Sequence, residues 1–129
     1  MLFLIDLTLI FFTDAKYYYM NVTENVKNWP DARQDCIDMG KKLFEIRSET
    51  DLAFAYDAYN RIFGDVFWVG VKYVGNQYVY DSDGETYVGF WADGRPLYSV
   101  ALNAGLFHEN GLQDWPSHIR TTYYICEWP

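Results

Sequence analysis

Cysteine is scarce in this chain: its 129 residues include two, Cys36 and Cys126, far apart in sequence. Neither sits in a Cys-x-x-Cys pair or has a histidine at zinc spacing, which excludes a zinc knuckle and a thioredoxin-type redox centre. Histidine is equally scarce, and neither His108 nor His118 is flanked by a serine or cysteine nucleophile motif. Basic residues number 10 against 18 acidic ones, for a formal net charge of -8. Such a chain, with no basic patch interleaved with aromatics, repels a phosphate backbone, and nucleic-acid binding is excluded. A Gly-rich phosphate cradle is lacking, and no apolar run reaches the roughly 20 residues of a membrane span. Internal repeats, low-complexity tracts and Pro/Ser linkers are missing as well, so this length reads as one domain.

What the chain has in abundance is aromatic surface, 20% of residues with 12 Tyr, and a hydrophobic fraction of 50% that suffices for a real core. The stretch Met1 to Phe12 is apolar apart from Asp6, and Thr13-Asp14-Ala15 supplies small residues before Lys16. Residues 1–15 are therefore expected to be a signal peptide and residues 16–129 the domain. Against this stand Asp6 and the lack of a preceding Lys or Arg; the alternative is a retained apolar strand. Asn21-Val22-Thr23 is an N-glycosylation acceptor if the chain is secreted. In that oxidising setting one disulfide between an early helix and the final strand is the natural reading; a cytosolic chain would instead bury two free thiols.

Local patterns give an α+β order of elements. Lys16 to Met20 reads as a strand. Asn28 is placed to cap a helix that carries Trp29, Ala32, Cys36 and Met39 on one face and stops at Gly40. Ser48-Glu49-Thr50-Asp51 resembles a capping box, and Leu52, Ala55, Tyr56, Tyr59, Ile62 and Phe63 then recur at helical spacing up to Gly64. Phe67 to Val74 is a continuous apolar run, as expected of a strand covered on both faces. Gly75-Asn76 and Asp83-Gly84 mark turns, with Tyr78 and Tyr80 alternating between them. Asp81 to Glu85 imitates the start of a calcium loop but lacks its distal Glu, so it reads as a turn. Residues 89 to 117, with only short apolar pieces such as Val100 to Leu102, predict a long irregular loop with a small strand or two, and Thr121 to Trp128 closes the chain as a strand with Tyr124, Cys126 and Trp128 on one face.

Five of these segments together resemble the C-type-lectin-like domain family. They are Trp29-x-x-Ala32-x-x-x-Cys36-x-x-x-Gly40 with Leu43 and Ile46, Phe67-Trp68-Val69-Gly70-Val71, the Tyr78 to Gly84 hairpin, Phe90-Trp91-Ala92-Asp93-Gly94-Arg95-Pro96, and Tyr124-Ile125-Cys126-Glu127. The resemblance covers about residues 17 to 128 and implies a C-type lectin fold of two helices on small antiparallel sheets, closed by a Cys36–Cys126 disulfide. Sugar-binding members hold calcium through Glu-Pro-Asn or Gln-Pro-Asp in the long loop and Trp-Asn-Asp on the next strand. Here the first position reads Arg95-Pro96-Leu97, a cation and an alkyl group where oxygen ligands belong. The second is aligned with Trp115-Pro116-Ser117, which has no carboxylate. The family's second, loop disulfide is also lacking; Ser99 or Val100, and Ser117 or His118, lie near its two positions. The loop is then either mobile or held by packing of Leu97, Tyr98, Leu106, Phe107 and Trp115.

The function expected is calcium-independent recognition outside the cell, with neither metal nor cofactor. The partner is a protein bound through the long loop, where Arg95, Leu97, Tyr98, Phe107 and Trp115 are the candidate contacts. A glycan ligand, stacking on Tyr98 or Trp115, is the alternative, and a structural or matrix role a further one. Glu109 with Asp114 is the nearest approach to a catalytic carboxylate pair, but acidic residues are too plentiful for the pairing to signify, and the chain reads as a non-enzyme.

Overall fold

The computed structural model describes the backbone of residues 2–5, 8–13, 16–21, 26–87, 89–121 and 123–129, with side chains from residue 26 onward. In chain order the strands are β1 (Leu2–Ile5), β2 (Thr8–Thr13), β3 (Lys16–Asn21), β4 (Lys42–Leu43), β5 (Phe67–Val74), β6 (Gln77–Tyr80), β7 (Ala104–His108), β8 (Gly111–Trp115) and β9 (Tyr123–Glu127). Helices α1 (Trp29–Asp38) and α2 (Glu49–Asp57) lie between β3 and β5. The sheet runs β1-β2-β3-β9-β5-β7-β8, with β4 on β9 and β6 on β5. Its pairings are antiparallel except where β5 meets β9 in parallel, Phe67 beside Tyr123 and Trp68 beside Tyr124. The architecture is α+β, as expected.

Both helices start where their caps predict. The Asn28 side chain accepts from the Asp31 amide, and that of Ser48 from the Asp51 amide. Helix α1 buries Trp29, Ala32 and Cys36. The second helix departs from its expected pitch: after Asp57 it widens into a π-helical segment, Ala58–Phe63, that ends at left-handed Gly64. The widening brings Ala58 and Phe63 inward together and leaves Tyr59 and Ile62 half-buried.

Strand β5 divides the interior in two. Phe67, Val69 and Val71 face the α2 side, with Phe44, Ile46, Ala55, Phe107 and Ile125. Trp68 faces the α1 side, with Trp29, Cys36, Leu43, Leu106, Tyr124 and Cys126. A strand covered on both faces has no solvent side, which is why its sequence is apolar without alternation. The buried indoles are satisfied: Trp29 Nε1 donates to the Val69 carbonyl at 2.8 Å, and Trp68 Nε1 to that of Lys27 at 3.0 Å. At Gly70 a side chain would put its Cβ 2.9 Å from Glu45 Cγ and 3.0 Å from the Leu43 carbonyl, so β4 approaches β5 only because this residue has none. Fully buried Glu45 accepts from Arg47 Nη2 at 2.8 Å, Ser82 N at 2.8 Å and Ser82 Oγ at 2.9 Å. The Asp81 to Glu85 segment is thus a turn bound to a buried carboxylate. Its Asp81 accepts from Arg33 and pairs with Lys72.

The small strands within residues 89 to 117 are β7 and β8, a hairpin from Ala104 to Trp115 whose alternation is hidden by Gly105 and Gly111; the apolar piece Val100 to Leu102 is not part of them. One expectation needs correction: Trp128 does not share a face with Tyr124 and Cys126, for β9 ends at Glu127 and Trp128 is half exposed, under the Lys41 ammonium. Asn21 ends β3, while Val22 and Thr23 of its acceptor triplet lie outside the described residues, as do Asp6, Asp14 and Ala15 of the N-terminal segment. Strands β1 and β2 extend the sheet from the β3 edge.

Cys36 and Cys126 are bonded, with a sequence separation of 90. Closing so long a loop restricts the unfolded chain, which in the chain-entropy model contributes about 4–5 kcal/mol. Reduction under non-denaturing conditions should therefore lower the urea midpoint by a comparable stability. A midpoint unchanged by reductant would show that packing alone holds α1 to β9.

Candidate functional site

The long loop, residues 81–103, leaves β6 and returns at β7 over the end of β8. Its first part is stitched back onto the sheet. The Tyr87 amide donates to the Tyr78 carbonyl and the Ala92 amide to the Leu112 carbonyl, both at 2.8 Å. Trp91 packs edge-on against Tyr78 and Tyr87, at 4.8 and 5.3 Å between ring centroids. Next come Arg95 and Pro96, joined by a cis peptide, and then Leu97 and Tyr98.

This turn is held by one carboxylate. Asp114, on β8, is fully buried. Arg95 Nη1 donates to its backbone carbonyl at 2.7 Å and to Oδ1 at 3.1 Å. Oδ2 accepts from the Leu97 amide at 2.8 Å and from the Tyr78 hydroxyl. Tyr78 Oη also lies 3.0 Å from the Leu102 carbonyl, on the far side of the tip. A buried charge so placed is neutralised by a cation and hydrogen-bonded at both oxygens, which offsets its desolvation. Burial pushes the Asp114 carboxyl upward, but the bonds from Tyr78, the Leu97 amide and Arg95 outweigh it, and its pKa falls below the ordinary carboxylate range. Burial and the neighbouring carboxylate hold the Tyr78 phenol far above the usual tyrosine range, so it stays a donor.

The expected candidates divide at this site. Arg95, Leu97 and Tyr98 come together on one turn, Arg95 turned in and the other two out, with Leu97 55% and Tyr98 63% exposed. Val100 completes the tip at 79% exposure. Tyr98 adopts a left-handed φ of 55°, unusual for a bulky residue, with its ring 5.7 Å from that of Tyr78. Phe107 is not on the loop at all; it is fully buried on β7, stacked on Phe67 at 5.2 Å. Trp115 is half-buried on β8 against the α1-side core, its indole N–H donating to Gln113 Oε1 at 2.8 Å. Leu97 does not hold the loop by packing and Tyr98 touches the sheet only through Tyr78; hydrogen bonds of the backbone and of Arg95 do the holding.

Sequence reading missed Asp114 and Tyr78. The residue that meets both Arg95 and Leu97 is Asp114, immediately before the aligned Trp115-Pro116-Ser117, so a carboxylate is present after all. The available signal was the polar Gln-Asp pair; the tryptophan beside it drew the alignment off register. Even so, the donor set does not suit calcium, which needs six or more oxygen ligands. Both oxygens of Asp114 are engaged, the adjacent group is a guanidinium, and Leu97 offers an alkyl chain. Among the described residues no cluster of three or more His, Cys, Asp or Glu could hold a metal.

Replacing Arg95 by Ala leaves a buried carboxylate short of its cation. Urea unfolding should register a loss of about 2–3 kcal/mol, with Arg95→Lys losing less. Since the folded pKa of Asp114 lies below its unfolded value, the network's stabilisation is fully present above the ordinary carboxylate range and is lost as pH falls through the depressed value. Slow exchange of the Leu97 amide should thus persist at about pH 5 and fail only below about pH 4. Loss of protection near neutrality would contradict this anchoring.

No family model matches the sequence, and no curated protein matches it. Solved structures do share its architecture. A Ca2+-dependent type II antifreeze protein in its Ca2+-free form aligns with a TM-score of 0.78 at 18% identity, covering 93% of this chain and 97% of the other. A calcium-independent type II antifreeze protein gives 0.77 at 17% identity, covering 98% and 95%. The mouse scavenger receptor C-type lectin carbohydrate-recognition domain gives 0.74 at 20% identity, covering 90% and 89%. These neighbours are lectins and antifreeze proteins rather than enzymes, and the chain is a C-type-lectin-like domain in fold.

Proposed function

We propose that this chain is an extracellular recognition module that binds a protein partner through the tip of its long loop, without calcium. The observation that carries the reading is the Arg95–Asp114 pair under an exposed apolar tip. A guanidinium built into the chain does the work of a bound cation there: it neutralises the carboxylate and fixes the turn. Leu97, Tyr98 and Val100 are then presented to solvent on a pre-organised backbone, which lowers the ordering cost of association. Aromatic and aliphatic groups on a fixed turn suit a protein surface. The disulfide supports an oxidising compartment. Among the described residues no helix is long and apolar enough to cross a membrane. One neighbour of the same fold, the type II antifreeze protein, is itself described as calcium-independent.

In this reading residues 1–15 are a signal peptide, and the mature chain begins near Lys16 with β3 at the sheet edge. Intact mass of secreted material tests that part alone, since a chain that keeps β1 and β2 overturns the leader and leaves the loop reading in place. Glycosylation at Asn21 would add its mass in the same measurement.

A carbohydrate ligand at the tip is the second reading, favoured by the exposed Tyr98 ring, on which a sugar could stack. Trp115 suits this less, being half-buried with its N–H engaged. Affinity capture on the immobilised chain, with and without chelator, tests the proposal. Partner recovery should be equal in both, and Leu97→Asp with Tyr98→Ala should weaken binding at least about tenfold, or 1.4 kcal/mol. Loss of partner on chelation would refute calcium independence, and a glycan array that binds where protein capture fails would favour the second reading.

A further inference from the structure

A cleft of about 530 Å³ lies between α2, the first part of the long loop and the β7–β8 hairpin, lined by Tyr56, Trp91, Ala92, Asp93, Asn110 and Gln113. No residue of the apolar tip takes part in it. The volume is ample for one extended side chain of a partner, and Asp93 is the single charged group of the lining.

The two carboxylates at this end of the molecule are treated differently. Asp114 is buried and paired with Arg95. Asp93, two residues before Arg95, is exposed, and among the described residues it makes neither a hydrogen bond nor an ion pair. The nearest cation in sequence is thus committed to Asp114, and the Asp93 charge is left uncompensated. Beside it, the Asn110 carboxamide and the Tyr56 hydroxyl are also without a hydrogen bond among the described residues. Gln113 accepts from Trp115 through Oε1, so its NH2 group remains to donate. The two aromatic side chains are fixed from behind: Tyr56 packs edge-on against buried Phe107 at 5.0 Å, and Trp91 against Tyr78 and Tyr87. Room for the Tyr56 hydroxyl depends on Gly111, where a Cβ would come 3.3 Å from it and 3.4 Å from Ala92.

From this arrangement we infer that the cleft binds the guanidinium of an arginine on a protein partner. A guanidinium is a flat array of N–H donors with no acceptor. Both oxygens of Asp93 can take it in fork geometry, with the Asn110 carbonyl oxygen and the Tyr56 hydroxyl as further acceptors, while the rings of Tyr56 and Trp91 offer π surface to a planar cation. The compact ammonium of a lysine uses less of this set. A divalent metal would need more oxygen ligands than one carboxylate and its neighbours provide. The free Gln113 NH2 group remains for a carbonyl of the chain that carries the arginine. At a net charge of -8 the whole molecule attracts a basic partner and repels an acidic one. Because the cleft shares no residue with Leu97, Tyr98 and Val100, this inference and the reading of the tip can fail separately.

The test is an NMR titration of the labelled full chain with the capped tripeptide acetyl-Gly-Arg-Gly-amide. Its counterparts carry citrulline, which keeps the shape and removes the charge, or lysine at the centre. The arginine peptide should give saturable shifts of the Asp93 and Asn110 amides and of the Trp91 indole N–H, in the millimolar range expected of one side chain. Citrulline should bind at least about tenfold more weakly, lysine at least about threefold, and raising the salt from about 20 mM to about 0.5 M should weaken the arginine peptide. Asp93→Ala, at an exposed residue without a bond to break, should cost roughly three- to tenfold in affinity, and Tyr56→Phe about twofold. Leu97→Asp with Tyr98→Ala should leave this titration unchanged. The inference is overturned if the arginine peptide fails to saturate below about 50 mM. It is equally overturned if citrulline or lysine binds as tightly as arginine, or if Asp93→Ala leaves the arginine shifts undiminished.

Discussion

Covering both faces of β5 is the constraint on which this molecule is organised. A central strand whose residues are apolar on either side needs a layer against each face. Here α2 with its π-helical continuation supplies one, and α1, tied to β9 through Cys36 and Cys126, supplies the other. The same strand carries β7 along its edge, and β7 carries β8. The position of Asp114 is thereby set by sheet register rather than by the loop it holds.

From that fixed carboxylate the loop takes its shape. In the related sugar-binding pattern, a divalent cation gathers oxygens from the loop and the following strand. Here one of the loop positions is a cation itself, so the attraction that a metal would mediate becomes a direct ion pair with two further donors, the Leu97 amide and Tyr78. Such a network is intolerant of partial satisfaction, because the carboxylate lies in a low-dielectric setting where each missing donor is costly. The chain lacks a second disulfide in this loop, and the network supplies a restraint in a similar place. Its consequence is a tip whose backbone is held while its side chains remain available.

Buried charge recurs on the opposite edge of β5. Glu45 binds Arg47, Lys42 and the Ser82 turn, and Glu127 accepts from the Glu45 amide. Two fully or nearly buried carboxylates, met by Lys42 and by backbone donors, tie residues 42–47 to the end of β9 and, through Glu45, to the Ser82 turn. Hydrophobic packing forms the two interiors; paired charge attaches the irregular segments to them.

The sequence by itself determined the local elements whose causes are local. The caps at Asn28 and Ser48, the buried face of α1 and the two-sided strand Phe67 to Val74 follow from nearest neighbours and side-chain chemistry; that Arg95-Pro96-Leu97 stands where calcium ligands belong is what the family resemblance implies. Tertiary structure decided the rest. The π widening after Asp57 answers to packing on β5, Phe107 goes inward because β7 pairs with β5, and Asp114 faces Arg95 because β8 holds a particular register. A cleft lined by Tyr56, Trp91, Asp93, Asn110 and Gln113 draws on residues from 56 to 113 that no spacing rule connects. Contacts of that kind depend on where the sheet places each chain segment, and a one-dimensional pattern carries no record of it.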